Sequence, residues 1–196
     1  MSKKITHEDI MDMEKYQIIR KEKRKQIVEL KKNRRIQIGP HATAHFENFE
    51  TMLAQVHEML YIEKGGYSQI NEELEAYNPL IPNGSSLVVT ILFEIDNPTK
   101  RKLFLSKIGG VEDTCFMILG KERVIGVSER DVDRTSGDGK ASSVQFIHFY
   151  FNRDQINCFK ENKEEIFLGI SHPEYYHMSK LKKENIDFIK NDFENY

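Results

Sequence analysis

Between Asn48 and Gly65 the apolar residues Phe49, Met52, Leu53, Val56, Met59 and Leu60 recur at the spacing of one helix face. Asn48 supplies the N-cap and Gly65-Gly66 the stop. This is the clearest helix of the chain. From Ser86 the period changes to two, because Leu87, Val89, Ile91, Phe93 and Ile95 alternate with Val88, Thr90, Leu92 and Glu94. Both sets are largely apolar, which predicts a strand buried on both faces. Val144 to Phe151 reads as a second central strand.

The remaining elements fill in around these three. Thr6 with Asp9 predicts a helix start, and the pattern runs helical to about Lys32. Tyr16, Ile19, Ile27 and Leu30 form one stripe that Lys23 interrupts, so this helix is expected to pack thinly. Arg35 to Ile38, a Gly39-Pro40 turn and Ala42 to Glu47 read as a hairpin. Ser68 is the expected cap of a helix carrying Ile70, Leu74 and Tyr77 inward, stopped at Asn78-Pro79. Asn97-Pro98 starts a helix to about Leu105. Thr114 to Leu119 and Arg123 to Val127 predict a hairpin through Gly120-Lys121-Glu122. Asn152 with Gln155 caps another helix, followed by a strand at Glu165 to Ile170, a loop rich in His and Tyr, and a last helix around Lys182 to Phe193. Helices first, then a strand-rich half, give an α+β fold with a mainly antiparallel sheet. No repeat or linker divides the 196 residues. The expectation is one domain over 1–196, with a basic helical segment at 1–35 and an α+β body at 36–196.

Charge sharpens that division. Residues 1–35 hold twelve Lys and Arg against six Asp and Glu, net +6, which leaves seventeen against twenty-five and net -8 for the rest. Apolar runs fall far short of the roughly 20 residues that cross a bilayer. The N-terminus has no apolar export segment. Cys115 and Cys158 are too far apart for a redox pair or a zinc cluster, and read as thiols in a reducing cytoplasm.

Several familiar chemistries fail at named residues. Gly137 to Ser142 resembles a phosphate loop but has Arg134 and Ala141 where a glycine and a hydroxyl are needed. Asp131 to Thr135 begins like a calcium loop, yet Ser136 and Ser142 occupy its glycine and bidentate-glutamate places. No GxSxG, HExxH or GxGxxG occurs. Three constellations survive. His41, Thr43, His45 and Glu47 share one strand face by parity, and with His172 or His177 they are candidate ligands for a divalent metal. The plainer reading is the polar face of a hairpin. The basic run Arg20, Lys21, Lys23, Arg24, Lys25 to Arg35 is a candidate contact for an acidic partner, for the acidic body itself or, less so, for nucleic acid. Asn78-Pro79-Leu80-Ile81-Pro82 is a stiff segment that either plugs a core or binds a partner.

The Asn78 to Pro82 run after Glu73-Leu74-Glu75-Ala76-Tyr77 resembles an uncharacterised bacterial family, domain-of-unknown-function family 3501. Gly39-Pro40, Phe46-Glu47-Asn48, Gln55 to Leu60, Ser143 to Phe146 and His172-Pro173 follow the same pattern. The resemblance implies an accessory role beside rubrerythrin-like or iron–sulfur reductase-like proteins in peroxide or electron-transfer chemistry. The chain has no ligand set for an iron–sulfur cluster or a di-iron site, so it would be the partner rather than the redox centre. Glu47, Glu58 and His172 fall on the family pattern, whereas His45 stands where an apolar residue is expected. With Tyr175, those three are the candidate shared site. A non-catalytic cytoplasmic binding protein is the leading expectation, a metal-dependent enzyme the alternative.

Overall fold

The computed structural model describes residues 4–129, 135–137, 139–161 and 163–193. The calcium-like run 131–134 and Asp138 of the phosphate-loop-like run lie outside them. The doubly apolar run becomes β3 (Ser86–Phe93), flanked by the hairpin β1 (Arg35–Ile38) and β2 (Ala42–Phe46) on one side. On the other side stand β7 (Val144–Tyr150) and the short β6 (Val127–Ser128), giving the order β1-β2-β3-β7-β6. A second sheet has the order β5-β4-β8-β9, built from β4 (Cys115–Leu119), β5 (Glu122–Ile125), β8 (Ile166–His172) and β9 (Tyr175–Lys180). Every strand pair in both sheets is antiparallel.

The two faces of β3 explain the layers. Leu87, Val89 and Ile91 join Ile147, Phe149, Met117 and Leu168 in a core between the sheets. Val88 on the opposite face joins a second core with Met52, Val56 and Leu60 of α2 (Phe49–Glu63). Ile70, Leu74 and Tyr77 of α3 (Gly66–Tyr77) pack against the same cluster. The molecule is therefore helices on sheet on sheet, an α+β arrangement. Burying apolar surface on both sides at roughly 25 cal/mol per Å² makes β3 the hub of both cores. Helix α4 (Pro98–Leu105), α5 (Arg153–Glu161) and α6 (Lys183–Ile189) close the ends of the sandwich, with Phe151, Phe159 and Phe193 stacked edge to face.

The N-terminal helix differs from the others. Thr6 and Asp9 bond to each other around a short 3-10 turn at His7–Asp9, and the long helix α1 (Met13–Lys32) starts later, capped by Asp12. Of its twenty residues only Tyr16 is buried, as the interrupted stripe predicts. No helix among the described residues is long and apolar enough to cross a membrane.

Three local departures from the sequence reading have physical causes. The expected strand from Arg123 to Val127 is broken at Gly126, where the chain crosses from the second sheet to the first. A Cβ there would lie 2.4 Å from Ile147 Cγ2, so only glycine fits the corner. The expected His/Tyr loop after β8 is strand β9, an edge strand whose outer residues Tyr176 and Met178 are exposed and whose buried anchor is Tyr175. Helix α3 starts at Gly66 rather than behind a Ser68 cap, because Lys64 ends α2 in the left-handed region and Gln69 Oε1 accepts the Gly65 N–H at 2.8 Å.

Arg34 is counted in the basic segment by sequence but is only 2% exposed. Its guanidinium donates to the carbonyls of Phe46 (2.8 Å) and Glu47 (3.1 Å) and to the Asp192 carboxylate. It thus fastens the α1–β1 junction to the end of β2 and to the C-terminal turn. Burial pushes the Asp192 carboxyl up to about 6, with Arg34 pulling the other way, so the pair is ionic at neutral pH.

Candidate functional site

Glu58 projects from α2 toward α1. It accepts hydrogen bonds from Tyr16 Oη, Arg20 Nε and Arg20 Nη2, each at 2.8 Å. The Arg20 guanidinium also lies over the Tyr61 ring, 4.4 Å from its centroid. His57 completes the joint: it stacks on Tyr16, accepts the Met11 N–H at Nε2 and donates from Nδ1 to the Leu53 carbonyl. The electrostatics follow from this geometry. Arg20 holds the Glu58 carboxyl below the usual carboxylate range, burial and then Glu58 push the Tyr16 hydroxyl up, and burial lowers His57. Polar contacts thus fasten a helix that offers little apolar surface.

Glu47 follows β2 and is 3% exposed. Thr90 Oγ1 donates to its Oε1 at 2.7 Å, and Oε2 has no hydrogen-bond partner among the described residues. His45 shares that face, as parity requires, and pairs across β3 with Thr90. Its Nδ1 is also buried without a hydrogen-bond partner among the described residues, and burial, then Lys31, lower its pKa. Thr43 instead bonds Glu94, which also meets Arg35 at 3.4 Å.

The other candidates hold turns and strands. Tyr175 Oη receives the N–H groups of His41 and Ala42 at 3.0 Å and donates to the Ile38 carbonyl. It is a three-bond latch on the β1–β2 turn. His41 turns away from His45 onto Phe104 and Tyr175, and His177 packs edge-on against Tyr175. Gly39 allows this closeness, since a Cβ there would lie 2.5 Å from the His177 ring. His172 donates from Nε2 to the Gly109 carbonyl and accepts the Glu174 N–H at Nδ1. Asn78 brackets the N-terminal segment, accepting from Ile5 N–H and donating to Ile5 O, while Leu80 and Ile81 enter the helix-side core. Pro79 is exposed beside them.

The four residues of the candidate shared site therefore do not gather in one pocket. Glu58 belongs to the α1–α2 joint, Glu47 to the helix-facing side of the first sheet, and His172 and Tyr175 to separate latches at the β8–β9 end. Among the described residues no three His, Cys, Asp or Glu side chains stand together as a metal site. Cys115 is buried, its thiol pushed up by burial, and both cysteines are free.

Concave surface is instead concentrated along α1. A cleft of about 650 Å³ separates the body-facing stripe Lys23, Ile27, Leu30 and Lys31 from Leu53, Ala54 and Glu58 of α2. At the C-terminal end of α1 a groove of about 750 Å³ is lined by Lys32, Arg35, Lys180 and Lys182. Lys180 and Lys182 were not among the residues singled out by sequence. They stand about 150 positions from Lys32, at the end of β9 and the start of the last helix, and only the docking of β9 beside β1 brings them there. Lys21, Lys23, Arg24 and Lys182 make no salt bridge among the described residues.

No curated protein matches the chain. A solved structure from Burkholderia pseudomallei K96243, titled a novel protein of unknown function, superposes with a TM-score of 0.90 at 29% identity, covering 98% of this chain and 100% of that one. The family model described as protein of unknown function (DUF3501) matches residues 4–193. The chain belongs to that family.

Proposed function

We propose that this protein is a non-catalytic binding protein of the cytoplasm that docks an acidic protein partner on the basic surface running along α1 into the groove at its C-terminal end. The single observation that carries the reading is the disposition of charge around α1. Glu58 is consumed in anchoring Arg20, while Lys21, Lys23, Arg24 and Lys182 make no salt bridge among the described residues. A basic surface on a body of net -8 favours an acidic partner by complementarity. The family resemblance implies a rubrerythrin-like or iron–sulfur reductase-like protein in that role, which would make the chain an accessory to peroxide or electron-transfer chemistry. Asn78 and Pro79 contribute indirectly, by fixing the segment from which α1 starts.

Affinity capture at low ionic strength tests this directly. Wild type retains a discrete partner that salt releases, and the triple variant Lys21→Glu, Lys25→Glu, Lys182→Glu does not. Equal recovery by wild type and variant, or turnover of a substrate by the isolated protein, refutes the reading.

The metal-dependent alternative is favoured by one observation, the unpartnered Glu47 Oε2 and His45 Nδ1 on a shared face. Two such atoms are fewer than the three or four ligands of a zinc site, and His41, His172 and His177 are engaged elsewhere. Elemental analysis of untagged protein decides it: stoichiometric transition metal supports the alternative, and its lack removes it. Filter binding of RNA across a salt series does the same for the nucleic-acid reading.

A further inference from the structure

We propose that the cleft beneath α1 is a ligand site for a single-chain amphiphile with an anionic head, of the class of medium-chain carboxylates. This goes beyond the docking of a protein partner on the outer surface of α1: it shares Lys23 and Arg24 with that surface and adds the apolar lining of the cleft.

The cleft has the size and make-up of a small-molecule site. Its volume of about 650 Å³ sits inside the range of roughly 300–1,000 Å³ typical of ligand pockets. Ile27 and Leu30 line it from α1, and Leu53 and Ala54 from α2. Ile27, Leu30, Leu53 and Ala54 are all only half-buried, in a chain whose other cores are tightly closed. The site lies between two helices held together at one end by polar contacts, from Tyr16 and Arg20 to His57, Glu58 and Tyr61. Beyond that joint α1 carries no buried residue, and its apolar side chains Ile27 and Leu30 stay half-buried over the cleft.

The charge around the cleft selects the head group. Lys23, Arg24 and Lys31 line it, and none of them is salt-bridged among the described residues. Three carboxylates line it too. Glu58 is neutralised by Arg20, Asp9 accepts from Thr6, and Glu50 lies at the far end, at the start of α2. The positive charge next to the joint is therefore at Lys23, with Arg24 beside it shared in part with Glu58 through space. An anionic head sits there, and the tail runs under Ile27 and Leu30 toward Lys31, about 12 Å along the helix at 1.5 Å per residue. Because α1 forms the outer wall, the space suits an extended chain rather than a further helix about 10 Å across.

Calorimetric titration of the full chain with decanoate, decyl sulfate and decyltrimethylammonium, all below their micellar concentrations, tests the site. Saturable one-to-one binding of both anions is expected, with the cation weaker by about tenfold or more. Ala54→Phe, which fills the cleft, abolishes anion binding. The pair Lys23→Gln and Arg24→Gln lowers anion affinity by about tenfold or more. Should Ala54→Phe fail to fold, the charge-neutralised pair decides. No saturable binding of decanoate by wild type, equal affinity for the cation, or anion affinity unchanged in the charge-neutralised pair each overturns the proposal.

Discussion

Glu58 fits the family pattern and reads in sequence as a candidate for a shared site, whereas its geometry makes it the anchor of α1. Substitution separates the two roles. Glu58→Ala removes the acceptor of three hydrogen bonds, two of them to an arginine. Hydrogen bonds to charged groups contribute roughly 1.5–3 kcal/mol each and neutral ones about 1. The simple sum overstates the loss, because the side chains of Arg20 and Glu58 remain 26% and 20% exposed and water screens and replaces part of the interaction. About 2–4 kcal/mol is a reasonable net cost. With Tyr16 its one buried residue, α1 has little apolar burial to hold it once the anchor is gone. The loss therefore appears as local opening of α1 rather than as unfolding of the sandwich. Hydrogen exchange followed by mass spectrometry reads this directly. Amides of α1 lose roughly 30- to 1,000-fold of their protection, at about tenfold per 1.4 kcal/mol, while those of β3 and β7 keep theirs. The sign with pH is also set. The Glu58 pKa is depressed in the folded state, so its contribution is full above the ordinary carboxylate range and is lost as pH falls through the folded value. Wild-type α1 protection accordingly drops on acidification through the folded Glu58 pKa, and the Ala variant drops less, retaining only the part set by His57. Unchanged α1 protection in Glu58→Ala would refute the anchoring role and return Glu58 to the pool of functional candidates.

Three further substitutions probe the rest of the framework. Arg34→Met strands the buried Asp192 carboxylate and two carbonyls, and is expected to cost about 3–5 kcal/mol in urea unfolding. The double variant with Asp192→Leu recovers much of that loss. Tyr175→Phe leaves the N–H groups of His41 and Ala42 and the Ile38 carbonyl without their latch, for roughly 1–3 kcal/mol, read as faster exchange at the β1–β2 turn. His45→Leu removes a buried nitrogen that has no partner, so it is neutral or stabilising. Because the folded His45 pKa is lowered, wild type loses stability as pH falls below about 6.5, and the Leu variant loses less over the same acid limb.

How much of this was legible in the sequence depends on how local each signal is. The helix at Phe49–Glu63 and the strand at Ser86–Phe93 carry their own periodicity, and the Asn48, Asn97 and Asn152 caps form as their spacing implies. The thin packing of α1 was legible too, in the Lys23 interruption. The split into two sheets was not, because the corner at Gly126 depends on Ile147 of a different strand. Strand β9 was hidden because Pro173-Glu174 just before it reads as a turn and, of its residues, only Tyr175 is buried, so no alternating apolar pattern marks it. Parity placed His45 beside Glu47 correctly, yet it also placed His41 there. Residue 41 precedes the strand and its ring follows Phe104 and Tyr175 instead.

The same distinction bears on what the family pattern means. Residues that recur in a pattern are a guide to chemistry only after their structural work is subtracted. Here Asn78 brackets Ile5, His172 ties β8 to Gly109 and Tyr175 latches the first turn, so each has a fold-level reason to be where it is. Glu58 has one as well. Glu47 is the exception: Thr90 satisfies one of its oxygens and nothing among the described residues satisfies the other, at 3% exposure. A buried carboxylate oxygen left unpaired costs stability that a glutamine or an apolar residue at the same place would not. Structural need alone therefore does not account for Glu47. It does account for the others, so Glu47 is the pattern residue whose place the fold leaves unexplained.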